Sequence, residues 1–144
     1  MKIVTKTVVA ALILSAGMAF AAGKSTDPDA IARQTLMGTV GMNTKILGDM
    51  AAGKAEFDAA KAEAAKVALT EAAGKIPATF KPQGTDAESK AKPEIWTNWE
   101  DFLLKADALT KAATALDTTT IEGVQAGMGG VGGACKDCHT KNRL

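Results

Sequence analysis

Apolar residues recur at alternating intervals of three and four positions along four separate stretches of this chain. That spacing aligns side chains on one face of an α-helix, so each stretch predicts an amphipathic helix. The strongest stripe comprises Ile95, Trp96, Trp99, Phe102, Leu103, Ala106, Leu109, Ala113 and Leu116. Tyrosine is absent and aromatic residues make up only 4% of the sequence, which disfavours a sheet protein because strands draw on β-branched and aromatic side chains. We therefore predict an all-α fold.

The first two stretches carry clear helix boundaries. The first begins at Asp27-Pro28, which places an N-cap residue before a proline at the first helical position, and its stripe continues to Ala51. The second is predicted to span residues 56–73 and to end at Gly74, because glycine is favoured just beyond a helix C-terminus.

Two breaks separate the remaining helices. Residues 75–92 form a polar stretch with two prolines and a glycine, which predicts a long loop. Pro93 then begins the third helix, and a threonine-rich break at 117–120 precedes the fourth. Two of the three joins are short, so the sequence predicts an antiparallel up-down-up-down four-helix bundle.

The N-terminus has the pattern of a secretory signal. Two lysines precede a short apolar run, which is followed by small residues ending in an A-x-A site at 19–21. A membrane anchor needs about 20 apolar residues, and this run is shorter. We therefore predict a signal peptide at residues 1–21 and a single domain at residues 22–144. The mature protein is expected in the periplasm and not in a membrane.

Glycines crowd the fourth stretch, where they carry a cost. Glycine in a helix interior is destabilising by up to about 1 kcal/mol relative to alanine. Either the segment is a flexible loop, or the missing side chains let the backbone approach a large rigid group. The residues in question are Gly127, Gly129, Gly130, Gly132 and Gly133.

The pentapeptide Cys135-Lys136-Asp137-Cys138-His139 is a C-x-x-C-H motif, the attachment sequence for c-type haem. On a helix, positions i and i+3 share a face, so both thiols can bond to one macrocycle. His139 would then be the proximal iron ligand. The chain contains only two cysteines and one histidine, and all three fall within this motif. The sequence therefore predicts one covalently attached haem c.

Other interpretations of these residues are weaker. A disulfide between Cys135 and Cys138 would close a very short loop and so restrain little chain entropy. A thioredoxin-like redox pair requires a βαβ context, which the helical pattern lacks. A zinc site requires a fourth ligand and more widely separated donors.

Over residues 26–143 the chain resembles the class II c-type cytochromes, the cytochrome c' family, whose members are four-helix bundles. The motif lies near the C-terminus of the chain, as in that class. The resemblance rests on the C-x-x-C-H pentapeptide, on Arg33-Gln34 and on Lys92-Pro93-Glu94-Ile95-Trp96.

This resemblance implies roles for two further residues, and the chain departs from the family's pattern at a third. The family's distal position falls on Met37. Members with an open or shielded distal face are high-spin and bind nitric oxide or carbon monoxide, whereas relatives with a methionine ligand are low-spin electron carriers. Arg143 occupies the family's basic position near the haem, and Asn142 stands where the family often has an aromatic residue.

Met37 has support from the residues around it. It lies on the apolar stripe of the first helix, and Gly38 and Gly41 leave space beside it. Thioether sulfur suits haem iron in electron-transfer cytochromes. The alternative is that Met37 only fills the core, as many buried methionines do.

Four other side chains have two interpretations each. Arg33, one turn before Met37, either meets a haem propionate or is a solvated surface charge. Arg143 lies near the haem or is a cation favoured at a helix C-terminus. Trp96 and Trp99 either stack on a cofactor or belong to the core.

The function predicted from these residues is one-electron transfer by a monohaem cytochrome with redox partner proteins, without enzymatic turnover. The alternative is capture of nitric oxide or carbon monoxide at a vacant distal site. A third hypothesis is a haem-free helical adaptor with a disulfide. The resemblance also implies a homodimer that pairs through the first two helices, as members of the family often do. The nearly balanced charge, 17 Lys and Arg against 16 Asp and Glu, predicts no nucleic-acid partner.

Overall fold

The computed structural model describes residues 24–84 and 86–144. The predicted signal peptide at residues 1–21 lies outside the described residues. No helix in the described part of the chain is long and apolar enough to cross a membrane. The helices of that part are α1 (Pro28–Ala51), α2 (Ala59–Phe80), α3 (Glu94–Thr97), α4 (Trp99–Thr114) and α5 (Ile121–Asn142).

The four long helices pack in the cyclic order α1, α2, α4, α5, and α5 closes the ring against α1. Together with the short α1–α2 and α4–α5 turns, this order forms the antiparallel four-helix bundle that the sequence predicts. A continuous apolar core runs between the helices, and Leu47, Leu69, Ile95, Leu116, Val124 and Val131 are almost fully buried within it. One end of the bundle encloses a cavity of about 630 Å³.

α1 begins where the sequence predicts. The Asp27 side chain accepts a hydrogen bond of 2.7 Å from the backbone amide of Ala30, and Pro28 is the first helical residue. This cap satisfies an amide that has no partner inside the helix. Val40 and Leu47 of the predicted stripe are buried, as expected.

The predicted end of the second helix is wrong. α2 continues past Gly74 to Phe80 and contains Pro77, so residues 75–80 are helical and only the remainder of the predicted 75–92 loop lies outside the helix. Ile76 and Phe80 are buried in the core. Burial of two large side chains, each contributing about 1.5–3 kcal/mol, outweighs the helix propensity of one glycine and the amide that Pro77 lacks.

The predicted third helix is interrupted. Asn98 leaves the helical region with φ −120° and ψ 47°, which divides the segment into the single turn α3 and the longer α4. Trp96 and Trp99 therefore do not lie on one continuous helix. The Trp96 indole donates to the Phe80 carbonyl at 2.8 Å, and Trp99 stacks on Phe102. Both indoles pack against the core and neither lines the cavity, which supports the core interpretation.

α5 is helical through its glycines, so the flexible-loop interpretation of this segment is wrong. None of the five glycines lines the cavity, so the second interpretation, close approach to a large group, is not supported either. Gly127 instead makes room for Leu116, whose Cδ1 would lie 2.6 Å from an added Cβ. An added Cβ at Gly132 or Gly133 would meet nothing within 4 Å.

We expect Gly132→Ala to stabilise the haem-loaded protein by about 0.5–1 kcal/mol, because alanine restricts the unfolded chain and fits the helix without a clash. The matched variant Gly123→Ala is expected to destabilise it by about 1–3 kcal/mol. Its Cβ would lie 2.8 Å from the Asp117 carbonyl oxygen. Urea unfolding of both variants measures the difference, and equal effects of the two alanines would contradict this assignment.

Candidate functional site: a haem cavity at one end of the bundle

The cavity is formed where α1 from Ala30 to Lys45, the end of α2, the segment 89–95, the middle of α4 and the last turns of α5 meet. Its size falls within the range of about 300–1,000 Å³ that cofactor pockets occupy. Most of its wall is apolar, and such a wall keeps water from a bound group. The apolar lining includes Val40, Ile76, Phe80, Ile95, Phe102, Ala106 and Leu109.

The C-x-x-C-H motif forms one wall of the cavity. Cys135, Cys138 and His139 all line it, and both cysteines are partly buried free thiols. Their spacing on α5 places the two thiols one helical turn apart. Burial raises the pKa of both thiols, which therefore remain protonated at neutral pH.

His139 is a neutral imidazole at neutral pH. Partial loss of hydration lowers its pKa, and the nearby positive charge of Arg143 lowers it further. A neutral imidazole has the free nitrogen lone pair that binding to a metal ion requires.

α1 forms another wall with Met37, Gly38 and Gly41. An added Cβ at either glycine would meet nothing within 4 Å, so the space in front of α1 is open. Met42 is exposed, whereas Met50 lies in the core. Among the methionines of the described residues, Met37 alone lines the cavity. The fold therefore brings its thioether and the His139 imidazole to one cavity from two different helices.

Arg33 lines the cavity and is only 3% exposed, so the interpretation as a solvated surface charge is wrong. Its guanidinium donates to the carbonyl oxygens of Pro82 and Gly84 at 2.9 and 2.5 Å. It also lies over the rings of Phe80 and Trp96, at 5.9 and 5.4 Å from their centroids. Its buried Nε has no hydrogen-bond partner among the described residues.

Arg143 is the exposed residue that follows α5, and its side chain lines the cavity. Its amide donates to the His139 carbonyl at 3.1 Å, and its backbone forms an antiparallel bridge with Ala91. Its positive charge lowers the pKa of His139. Both interpretations of Arg143, a position near the haem motif and a cation at a helix C-terminus, are compatible with this geometry.

Asn142 supports the motif in a way that the sequence does not reveal. It is buried, and its Nδ2 donates to the Cys138 carbonyl at 3.1 Å and lies 3.7 Å from the Cys138 sulfur. Its backbone carbonyl accepts a hydrogen bond of 3.0 Å from the backbone amide of Lys92. The residue where the family often has an aromatic ring therefore holds the last turn of α5 by hydrogen bonds.

Lys105 is a further residue that sequence analysis missed. It lines the cavity, and its ammonium donates to the Asp137 carboxylate at 2.6 Å. This hydrogen bond raises the pKa of Lys105 and lowers that of Asp137. The pair joins α4 to the segment between the two cysteines. No local pattern indicates a contact between residues so far apart in the chain.

Asp86 anchors the loop beside the cavity mouth to the start of α1. Its carboxylate accepts the amides of Thr26, Asp27 and Glu88 at 2.7, 3.0 and 2.8 Å. These bonds lower the pKa of Asp86 to about 2. The anchor is therefore fully ionised at neutral pH.

The residues of the cavity fit a covalently attached haem. Two thiols one turn apart, a neutral imidazole adjacent to the second thiol and a largely apolar enclosure provide the attachments, one axial ligand and a dry environment. A four-helix bundle that carries this site belongs to the class of c-type haem proteins.

The family model for cytochrome c' matches residues 29–143. A cytochrome c' of Rubrivivax gelatinosus is 40% identical over 98 residues, which cover 64% of this chain and 75% of that protein. A cytochrome c-556 of Agrobacterium fabrum is 34% identical over an alignment of 145 positions, which covers 96% of this chain and 95% of that protein. The chain belongs to the cytochrome c' family.

Solved structures agree with this assignment. The structure of cytochrome c' from Rubrivivax gelatinosus superposes with a TM-score of 0.73 at 27% identity and covers 84% of this chain and all of that chain. A nitric oxide complex of a cytochrome c prime variant from Alcaligenes xylosoxidans has a TM-score of 0.70 at 28% identity and covers 80% of this chain and 93% of that one. The protein is thus a haem c protein of the electron-transfer or gas-binding kind.

Proposed function

We propose that this protein is a periplasmic monohaem cytochrome that carries one electron between redox partner proteins. In this proposal, Cys135 and Cys138 hold the haem covalently, His139 is the proximal ligand and Met37 is the distal ligand. The observation that carries the proposal is that the side chains of α1 and α5 that can ligate iron line the same cavity. A histidine and a methionine together form the axial pair of electron-transfer cytochromes.

Each of these residues has a separate task in electron transfer. Bound haem c supplies the iron that takes up and releases one electron. The two cysteines fix the group to a rigid helix, and His139 is neutral at working pH and so needs no deprotonation before it binds. The apolar wall limits the reorganisation of water when the charge changes. An electron carrier needs all three of these properties.

Met37 is proposed as the distal ligand because, among the described residues, it is the one methionine that lines the cavity. The described part of the chain has no second histidine, and its other methionines do not line the cavity. Gly38 and Gly41 leave room for a macrocycle to approach α1 closely. A flexible thioether can then reach the iron without a large backbone shift.

Binding of nitric oxide or carbon monoxide is the second candidate function, and the same open space supports it. Because a Cβ added at either glycine beside Met37 would meet nothing within 4 Å, a diatomic ligand also fits there if the thioether only shields the iron. Variants of cytochrome c prime from Alcaligenes xylosoxidans have been solved with nitric oxide bound and with carbon monoxide bound.

Replacement of Met37 by leucine separates the two functions. If Met37 is a ligand, the starting protein is low-spin, shows a sulfur-to-iron charge-transfer band and does not react with carbon monoxide. Met37→Leu is then expected to be high-spin and to bind the gas. Absorption spectra of the ferric and ferrous haem-loaded proteins, with and without carbon monoxide, provide the measurement.

Met42→Leu is the matched control, because Met42 lies on the same helix but is 59% exposed. It should leave the spectra unchanged. A starting protein that is already high-spin and binds carbon monoxide would overturn the electron-carrier proposal and select the gas-binding function.

The proposal also includes export of the protein to the periplasm, and it assigns the protein no enzymatic turnover of a substrate. Residues 1–21 act as the signal peptide and residues 22–144 form the mature domain. The single histidine is assigned to iron, which leaves no evident general base for catalysis. Pairing of two chains through α1 and α2 stays a prediction.

A further inference from the structure

A short antiparallel pairing brings together three cations, two of which line the cavity. The Lys92 amide donates to the Asn142 carbonyl at 3.0 Å, and the Leu144 amide donates to the Lys90 carbonyl at 2.9 Å. Between these bonds, Ala91 bridges Arg143. The pairing brings together three residues from the loop and from the end of α5. We call Lys90, Lys92 and Arg143 the basic patch.

Charge around the cavity is strongly biased. Its 25 lining residues include five lysines or arginines but no aspartate or glutamate, although the whole chain has 17 basic and 16 acidic residues. Three of the five cations already have partners. Lys45 pairs with Asp49, Lys105 pairs with Asp137, and Arg33 binds two carbonyl groups.

The remaining two, Lys90 and Arg143, are exposed members of the basic patch. Within the described residues, no side chain of the patch forms an ion pair, that is, none has a carboxylate oxygen within 4.0 Å. The backbone pairing holds these three residues beside one another, so their charges contribute to one positive field. Lys90 and Arg143 line the cavity that His139 also lines, so this field lies beside its opening.

We propose that the basic patch is the docking surface for the acidic face of a redox partner protein. This inference rests on the proposed electron-carrier function, because an electron carrier must bring its cofactor edge close to donor and acceptor. Because the patch is positively charged, charge complementarity favours an acidic partner. Exposed cations of this kind steer a partner into a contact that forms quickly and is transient. The patch lies at the cavity mouth, so a protein docked there sits next to the haem site.

Binding is tested without electron transfer. The paramagnetic anion hexacyanochromate(III) is titrated into haem-loaded protein, and broadening of amide NMR signals is recorded. Broadening is expected at residues 89–92 and 141–144 and should disappear in the double variant Lys90→Glu, Lys92→Glu. Lys61→Glu is the matched control, because Lys61 is exposed at the other end of the bundle and forms no ion pair within the described chain. Broadening spread over the surface, or unchanged in the double variant, would overturn the proposal.

Stopped-flow kinetics tests the consequence for electron transfer. Oxidation of the ferrous protein by ferricyanide and reduction of the ferric protein by a reduced acidic flavodoxin should both slow about tenfold in the double variant at ~10 mM ionic strength, and less than about twofold near 0.5 M salt. Reduction by the cation hexaammineruthenium(II) should not slow. A variant that slows only with ferricyanide would assign the patch to small anions and overturn the protein-docking proposal.

The same experiment distinguishes this inference from the proposed function. Failure of the unaltered protein to exchange electrons with hexaammineruthenium(II) would refute the carrier function, whatever the patch does. Normal exchange with that cation combined with an unaffected flavodoxin rate in the double variant would refute only the docking surface.

Discussion

Replacing Cys135 and Cys138 together by alanine is expected to abolish covalent haem completely, when the variant is produced in a cell competent for cytochrome maturation. Both thiols line the cavity one helical turn apart, and the chain has no other cysteine that can replace them. Intact mass spectrometry should show the polypeptide without the mass of one haem. Any haem that remains should be extractable into acidified organic solvent, because only axial ligands and packing would hold it.

The single variants and a control on the same helix complete this test. Cys135→Ala and Cys138→Ala should each retain at most one thioether link. Thr140→Ala should retain both, because its hydroxyl only donates to the Lys136 carbonyl on the exposed side of α5. Covalent haem in the double variant, or none in the unaltered protein, would refute the assignment of the site and with it the electron-carrier proposal.

The motif was predictable because its chemistry is local. Five consecutive residues contain both thiols and the imidazole, and a helix fixes their relative placement whatever the rest of the chain does. The start of α1 was predictable for the same reason, since the cap at Asp27 and the proline after it act within one turn. Features of this kind need no knowledge of the tertiary structure.

The end of α2 was not predictable in the same way. Gly74 and Pro77 are genuine signals against a helix, but Ile76 and Phe80 become buried only when α2 meets its neighbours. Tertiary burial therefore overrides local propensity. The break at Asn98 is the converse case, in which a helix that the pattern predicts is interrupted. The apolar stripe continues on both sides of Asn98 and does not indicate that this residue leaves the helix.

Arg33 illustrates what sequence patterns leave out altogether. Its position in the first helix was apparent, but the carbonyl groups that it binds lie about fifty positions later in the chain. The rings below it come from α2 and α3. Burial of a charge is costly unless hydrogen bonds compensate it, so only the folded arrangement decides between a solvated and a buried arginine.

Arg33→Ala is expected to destabilise the haem-loaded protein by about 2–4 kcal/mol. The change removes two charge-assisted hydrogen bonds, each contributing about 1.5–3 kcal/mol at most, and leaves the Pro82 and Gly84 carbonyls without their donor. It also removes the contacts over Phe80 and Trp96. Urea unfolding measures the free energy, and the melting temperature should fall by about 10 °C.

Two further variants show whether Arg33 stabilises the protein by holding the loop after α2 in place. Arg33→Lys keeps the charge and much of the packing but cannot donate to both carbonyl groups in a fixed fork, so it should lie between the alanine variant and the unaltered protein. Lys75→Ala, which removes an exposed cation on α2, should change stability by less than about 0.5 kcal/mol. Hydrogen exchange should become faster at residues 83–89 in Arg33→Ala alone. If Arg33→Ala changes neither the hydrogen exchange of this loop nor the stability, Arg33 does not anchor the loop. A guanidinium that only contacts the cofactor would not protect the loop amides from exchange.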